Sequence, residues 1–164
     1  MKTNDAVISE ILTTEYAMFY RIAFSYVRSE ADAQDIVQES AYKAMKNCNR
    51  LNSAQYVNTW LYRIVINESL SFLRRKKPAV VEWSQAEGKT QDRYADLDLQ
   101  RALMQLPDEE KTVVVLRFFE GMSFQQIAEI LDENINTVKS RLYRSLQKLK
   151  HMLEEGGAVS CEVN

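Results

Sequence analysis

Apolar residues recur at three- and four-residue intervals along most of this chain, the period of helices that bury one face. Residues 6–27 carry Ile8, Ile11, Leu12, Tyr16, Phe19, Tyr20, Ala23 and Phe24 at mostly that spacing, enough large groups to belong to a core. A turn at Arg28-Ser29-Glu30 follows, with Ser29 placed to cap a helix over residues 30–47. That helix has a narrow apolar face of Ala33, Ile36, Val37, Ala41 and Ala44, and an outer face of Asp32, Asp35, Gln38 and Glu39. An Asn-rich loop leads into a third helix over residues 53–75. Val57, Trp60, Leu61, Ile64, Val65, Leu70, Phe72 and Leu73 are its apolar complement, and its place on that stripe favours Trp60 as a core residue over a reader of bases. Pro78 ends it.

From residue 79 to 95 no period is sustained. The stretch contains Gly88 and reads as an inter-domain linker, with Trp83 as an unexpected docking spot. Helical spacing resumes near Asp96 with Leu97, Leu99, Ala102, Leu103 and Leu106. Pro107 then suits the first turn of a helix and Gly121 the position just past its end. Ser123 and Gln126 form a capping-box pair ahead of Phe124, Ile127, Ala128 and Leu131. Asp132-Glu133-Asn134 breaks the period, and Asn134 caps a last helix whose stripe is Ile135, Val138, Leu142, Leu146 and Leu149. Asn136, Thr137, Ser140, Tyr143, Arg144 and Gln147 point the other way. A short helix, a tight break and a longer helix make a helix-turn-helix. The expected fold is all-α. Two small helical domains, 1–78 and 96–155, are joined by a flexible linker at 79–95, with a tail at 156–164.

Charge changes this picture more than composition does. The chain of 164 residues is 46% hydrophobic and 27% charged, so it is globular and not disordered. Its net charge of −2 conceals segregation. The last helix holds Lys139, Arg141, Arg144, Lys148 and Lys150 between residues 136 and 151 with no acid among them, which suits a phosphate-lined major groove. A solvated basic face closing a bundle is the plainer alternative. Arg63, Asn67, Ser71 and Arg74 share one face of the third helix and lead to a second basic cluster, Arg74-Arg75-Lys76-Lys77. That is either a second nucleic-acid surface or a basic helix end favoured by its dipole. The acids of the second helix are either dipole complements or a docking face for a basic protein partner.

Enzyme chemistry finds no footing. His151 is the one histidine, and no Cys/His, paired-carboxylate or Gly-rich phosphate motif is present. Cys48 and Cys161 are widely spaced and read as reduced thiols. No apolar run approaches a membrane span and the first residues lack a signal-peptide core, so a cytoplasmic protein without cofactor or small-molecule substrate is expected.

Taken together, DIVQESAYKA (35–44), TWLYRIVINESLSFLRR (59–75), LPDEEKTVVVLRFFEGMSFQQIAEIL (106–131) and NTVKSRLYRSLQKLK (136–150) resemble a bacterial RNA polymerase sigma factor. Two domains and a linker make the chain similar to the extracytoplasmic-function (ECF) group of the sigma-70 family. The resemblance implies that the first domain is sigma region 2 and the last is region 4. It implies that Asp35, Gln38 and Glu39 dock on the clamp helices of the largest catalytic subunit of core RNA polymerase. It places the loop at 47–53, with Asn49 and Asn52, together with Arg63, Asn67 and the rest of that face, on melted −10 DNA. Asn136, Thr137, Lys139, Ser140, Arg141, Tyr143 and Arg144 become −35 contacts, with the polymerase β flap gripping their domain. Asp132 stands where the family's turn usually has glycine, and Asn136 replaces a common glycine. An anti-sigma factor, frequently membrane-tethered in the family, is a further implied partner beside promoter DNA. The rival readings are a one-component helix-turn-helix regulator that binds duplex DNA without polymerase, and a helical adaptor.

Overall fold

Local chemistry sets most helix boundaries. A computed structural model describes residues 3–76 and 91–161 of the chain, and these are helical with short connections. The helices are α1 (Asn4–Thr14), α2 (Tyr16–Val27), α3 (Glu30–Lys46), α4 (Val57–Arg75), α5 (Gln91–Gln105), α6 (Asp108–Val114), α7 (Phe124–Leu131) and α8 (Ile135–Cys161). The all-α expectation holds.

The first expected helix is two. Thr13 and Thr14 turn their hydroxyls back onto the carbonyls of Ser9 (2.8 Å) and Glu10 (3.0 Å), and the chain breaks at Glu15. Such back-bonding competes with the helical ladder and bends it. As a result Tyr16 is exposed and not part of the core. Arg28 ends α2 in the left-handed conformation at φ 55°, and Ser29 accepts from the Asp32 amide to start α3, as its position in the sequence predicts. The loop after α3 is two 3-10 turns, Cys48–Arg50 and Ala54–Tyr56, so α4 begins four residues later than its apolar pattern suggests. Glu68 is buried on α4 and is held by Lys43 of α3 and by Arg75 at 3.1 Å. A buried carboxylate needs such partners.

In the C-terminal half α5 begins at Gln91, ahead of the expected Asp96. Most of the linker expected at 79–95, Trp83 included, lies outside the described residues, as does the end of the tail. Pro107 precedes α6 as its N-cap. After Val114 the helix widens into one π turn, Val115–Phe119, with the Glu120 amide reaching back five residues to Val115. Gly121 then adopts φ +65°, where a side chain would be strained.

The halves are packed on one another. Their buried side chains form a single cluster that includes Phe19, Ile22 and Tyr26 from α2 and Val113, Leu116 and Ile127 from α6, the π turn and α7. Fully buried Tyr26 donates its hydroxyl to Thr112 Oγ1 at 2.7 Å. Arg21 pairs with Glu120 (3.5 Å) and Arg74 with Asp108 (3.2 Å) across the same boundary. Arg63 donates from Nε and Nη2 to the carbonyls of Ile130 and Glu129 at the C-terminal end of α7, the second bond measuring 2.7 Å. A cation there satisfies carbonyls the helix leaves unpaired and meets the negative end of its dipole.

Candidate nucleic-acid interface

The helix-turn-helix is fixed by the short-range signals read in the sequence. Ser123 accepts from the Gln126 amide (3.2 Å) while the Gln126 side chain accepts from the Ser123 amide (2.9 Å), completing the capping box. Asp132 supplies the left-handed turn at φ 53°, an angle that acidic and amide residues tolerate better than most. Asn134 Oδ1 then accepts from the Asn136 amide at 2.8 Å and starts α8. The stripe that α8 buries is Val138, Leu142, Ser145 and Leu149. Leu146, expected on it, is exposed, and Ser145 is wholly buried instead, its hydroxyl donating to the Arg141 carbonyl at 2.6 Å.

Packing of α8 on α6 also decides which basic residues are available. Asn136, Ser140, Tyr143, Arg144 and Gln147 are exposed, with Tyr143 61% accessible. Arg144 has no ion pair among the described residues. Thr137 is half-buried at the edge of this face. Lys139 is half-buried with its ammonium 5.6 Å from the centre of the Phe124 ring, whose other neighbour is the Arg117 guanidinium at 4.7 Å. Arg141 turns inward and pairs with Glu133 (3.0 Å) and Glu109 (3.3 Å), its side chain only 15% exposed. Lys148 holds buried Glu110 through both carboxylate oxygens, at 2.9 and 3.0 Å. The sequence window from residue 136 to 151 contains no acid, so it gave no sign that α6 neutralises these two cations.

The first half presents two further surfaces. Asp35, Gln38 and Glu39 are all exposed on α3, and Asp35 and Glu39 line a groove of about 480 Å³ with Ile36, Phe72, Arg75 and Lys76. Asp32, by contrast, is taken up by Lys76 at 2.6 Å. On another side, Asn67 and Ser71 line a groove of about 310 Å³ with Asn47, Arg50, Trp60 and Ile64. Asn49 and Asn52 are exposed in the adjoining loop. Trp60 is thus half-buried, packed on the core yet open to the groove, where an aromatic face can stack on a base. Core residue and base reader are the two readings of Trp60 from sequence, and its position is compatible with both. Arg63 and Arg74 were read on the same exposed face as Asn67, but both reach the other half of the molecule.

Burial shifts several ionisable groups at the boundary between the halves. Burial raises the Tyr62 hydroxyl to about 12, and raises Tyr26 further despite its bond to Thr112. Burial also lifts the Glu120 carboxyl above the usual carboxylate range, although Arg21 opposes it. These are features of packing, since all three sit away from the exposed face of α8.

Comparison with known proteins bears on the same residues. The family model for Sigma-70 region 2 matches residues 11–78, and that for Sigma-70, region 4 matches residues 96–149. The chain is 40% identical over 157 residues to RNA polymerase sigma factor SigV of Bacillus subtilis, covering 93% of this chain and 94% of that one. It is 30% identical over 148 residues to ECF RNA polymerase sigma factor SigM of Mycobacterium tuberculosis, covering 88% and 76% respectively. Among solved structures it is similar to sigma factor RpoE in its complex with the anti-sigma factor NepR from Bartonella quintana. The TM-score there is 0.64 at 22% identity, covering 89% of this chain and 96% of that one, a likeness of fold.

Proposed function

The chain belongs to the ECF group of the sigma-70 family, and on that footing we propose how its surfaces divide the work of directing promoter-specific transcription by RNA polymerase. The observation that carries the reading is the face of α8. It lies on a capped helix-turn-helix, in the same chain as an exposed acidic face on α3. Among the described residues its Asn136, Ser140, Tyr143, Arg144 and Gln147 side chains have no partner. Asn136, Thr137, Ser140, Tyr143 and Arg144 read and grip the −35 duplex, with Lys139 at the margin. Asp35, Gln38 and Glu39 dock on the clamp of core polymerase. The groove at Asn67 and Ser71, with Asn49 and Asn52, takes melted −10 DNA, and Trp60 gives an unstacked base a surface to rest on. Arg141 braces α8 against α6 in place of a base contact.

Size adds a requirement. Elements named −10 and −35 lie roughly 80 Å apart at 3.4 Å per base pair. A packed body of this length is about 40 Å across. Both elements are therefore engaged only after the halves part, and the polymerase supplies the separated platform. The protein acts as a non-catalytic initiation factor in the cytoplasm. An anti-sigma factor is a further partner of this reading, as RpoE is seen with NepR.

Runoff transcription tests the reading. Core polymerase plus this protein initiates from promoters that carry both elements, and removing either element lowers the yield. A tight, sequence-specific complex with promoter duplex in the absence of polymerase contradicts it and favours a one-component regulator.

A further inference from the structure

We propose that Asn4, at the start of α1, is a positioning residue for −10 selectivity: it holds the loop that presents Asn49, Arg50 and Asn52. The side-chain amide of Asn4 donates to the carbonyls of Cys48 (3.2 Å) and Leu51 (3.1 Å), across separations of 44 and 47 residues. One NH2 group has two hydrogens, so a single side chain satisfies both carbonyls. Among the described residues no other side chain from outside the loop hydrogen-bonds it. Asn47 bonds back to Lys43, Arg50 bonds to Asn47 within the turn, and Ser53 caps the turn that follows.

The geometry couples the anchor to the presented face. With the carbonyls of Cys48 and Leu51 drawn onto Asn4, half-buried Leu51 packs on the core while Asn49, Arg50 and Asn52 stand exposed. Without the amide the loop keeps its short internal bonds but loses its attachment to α1, so its exposed side chains sample more arrangements. The proposal rests on the reading of this loop as part of the −10 surface.

Asn4→Asp is the sharpest variant. It keeps the side-chain size and puts an acid in the first turn of α1, which the helix dipole favours, yet it faces two carbonyl oxygens with a group that cannot donate. Asn4→Ala is the companion, removing the donor without adding charge. The full-length proteins are assayed with core polymerase on promoters carrying single-base changes in the −10 or the −35 element, beside Asn49→Ala and Asn52→Ala. Both Asn4 variants are expected to reduce discrimination among −10 sequences roughly 3- to 10-fold, the equivalent of one lost hydrogen bond. Discrimination among −35 sequences and binding to core polymerase stay unchanged. If the loop variants lose −10 discrimination and the Asn4 variants do not, the anchoring role is wrong and the reading of the loop stands. If neither set loses it, both are wrong. Loss of −10 and −35 discrimination together makes Asn4 a general structural residue and overturns the proposal.

Discussion

The two halves hold their candidate DNA-facing residues in different conditions. On α8 the outward groups, from Asn136 to Arg144, make no side-chain bond to the first half among the described residues. On α4 the two arginines of the corresponding face are occupied: Arg63 caps the end of α7 and Arg74 pairs with Asp108. On the proposed reading, the −35 face is open in the closed body, while two arginines of the −10 face are occupied between the halves. Contact of Arg63 and Arg74 with −10 DNA then waits for the halves to separate, whereas the −35 face taken alone needs no such release. The two elements are reached together only by parted halves.

Substitutions at different depths sharpen or break that contrast. The largest effect is expected from Asp35→Lys, which reverses the charge of the docking face and abolishes binding to core polymerase in sedimentation or native gels. Neither DNA face is then used, although the fold is intact. Arg144→Ala is expected to weaken −35-dependent initiation by about 1–3 kcal/mol if it reads a base. Arg141→Ala should differ in kind, lowering the unfolding midpoint through loss of its pairs with Glu109 and Glu133 and leaving −35 preference in place. Equal loss of −35 preference in both variants would erase the distinction between reader and brace. Tyr26→Phe removes a buried bond between the halves and costs about 0.5–1.5 kcal/mol in denaturant unfolding.

The smallest effect concerns Glu120. Because burial raises its carboxyl, the folded chain holds that proton more tightly than the unfolded chain does. Its ionised form therefore costs stability near neutral pH, and the cost fades as pH falls through the raised value and toward the ordinary carboxylate range. Glu120→Gln is expected to stabilise the protein at neutral pH, with the gain shrinking in acid. A variant less stable at neutral pH would mean that the Arg21 pair outweighs burial.

What was legible beforehand was local. Ser29, Gly121, the Ser123–Gln126 pair, Asp132 and Asn134 act within a few residues of themselves, so the sequence displays both the signal and its partner. Partners chosen by tertiary packing were not legible. Glu110 lies 38 residues from Lys148, and nothing local tells a solvated cation from one that holds a buried acid. On α8 the apolar stripe was legible at Val138, Leu142 and Leu149. Leu146 is nevertheless exposed and Ser145 buried, because packing on α6 and not apolarity alone decides which positions are covered. Thr13 and Thr14 did carry a local sign of the break at Glu15, but the apolar period runs through it and masked it. Residues 11–78 and 96–149 match family models all the same, since those matches rest on the sequence and not on which tertiary partner each side chain finds.

The most direct test is a distance. Spin labels at exposed Ser9 on α1 and Lys150 on α8, in a chain with both cysteines replaced by serine, report separation of the halves by pulsed dipolar spectroscopy. The expected result is one short distance in the free protein, within the roughly 40 Å of a packed body of this length. On core polymerase it is replaced by a distance longer than the closed body allows. A long or broad distribution in the free chain, or no change on binding polymerase, contradicts the coupling of −10 reading to opening.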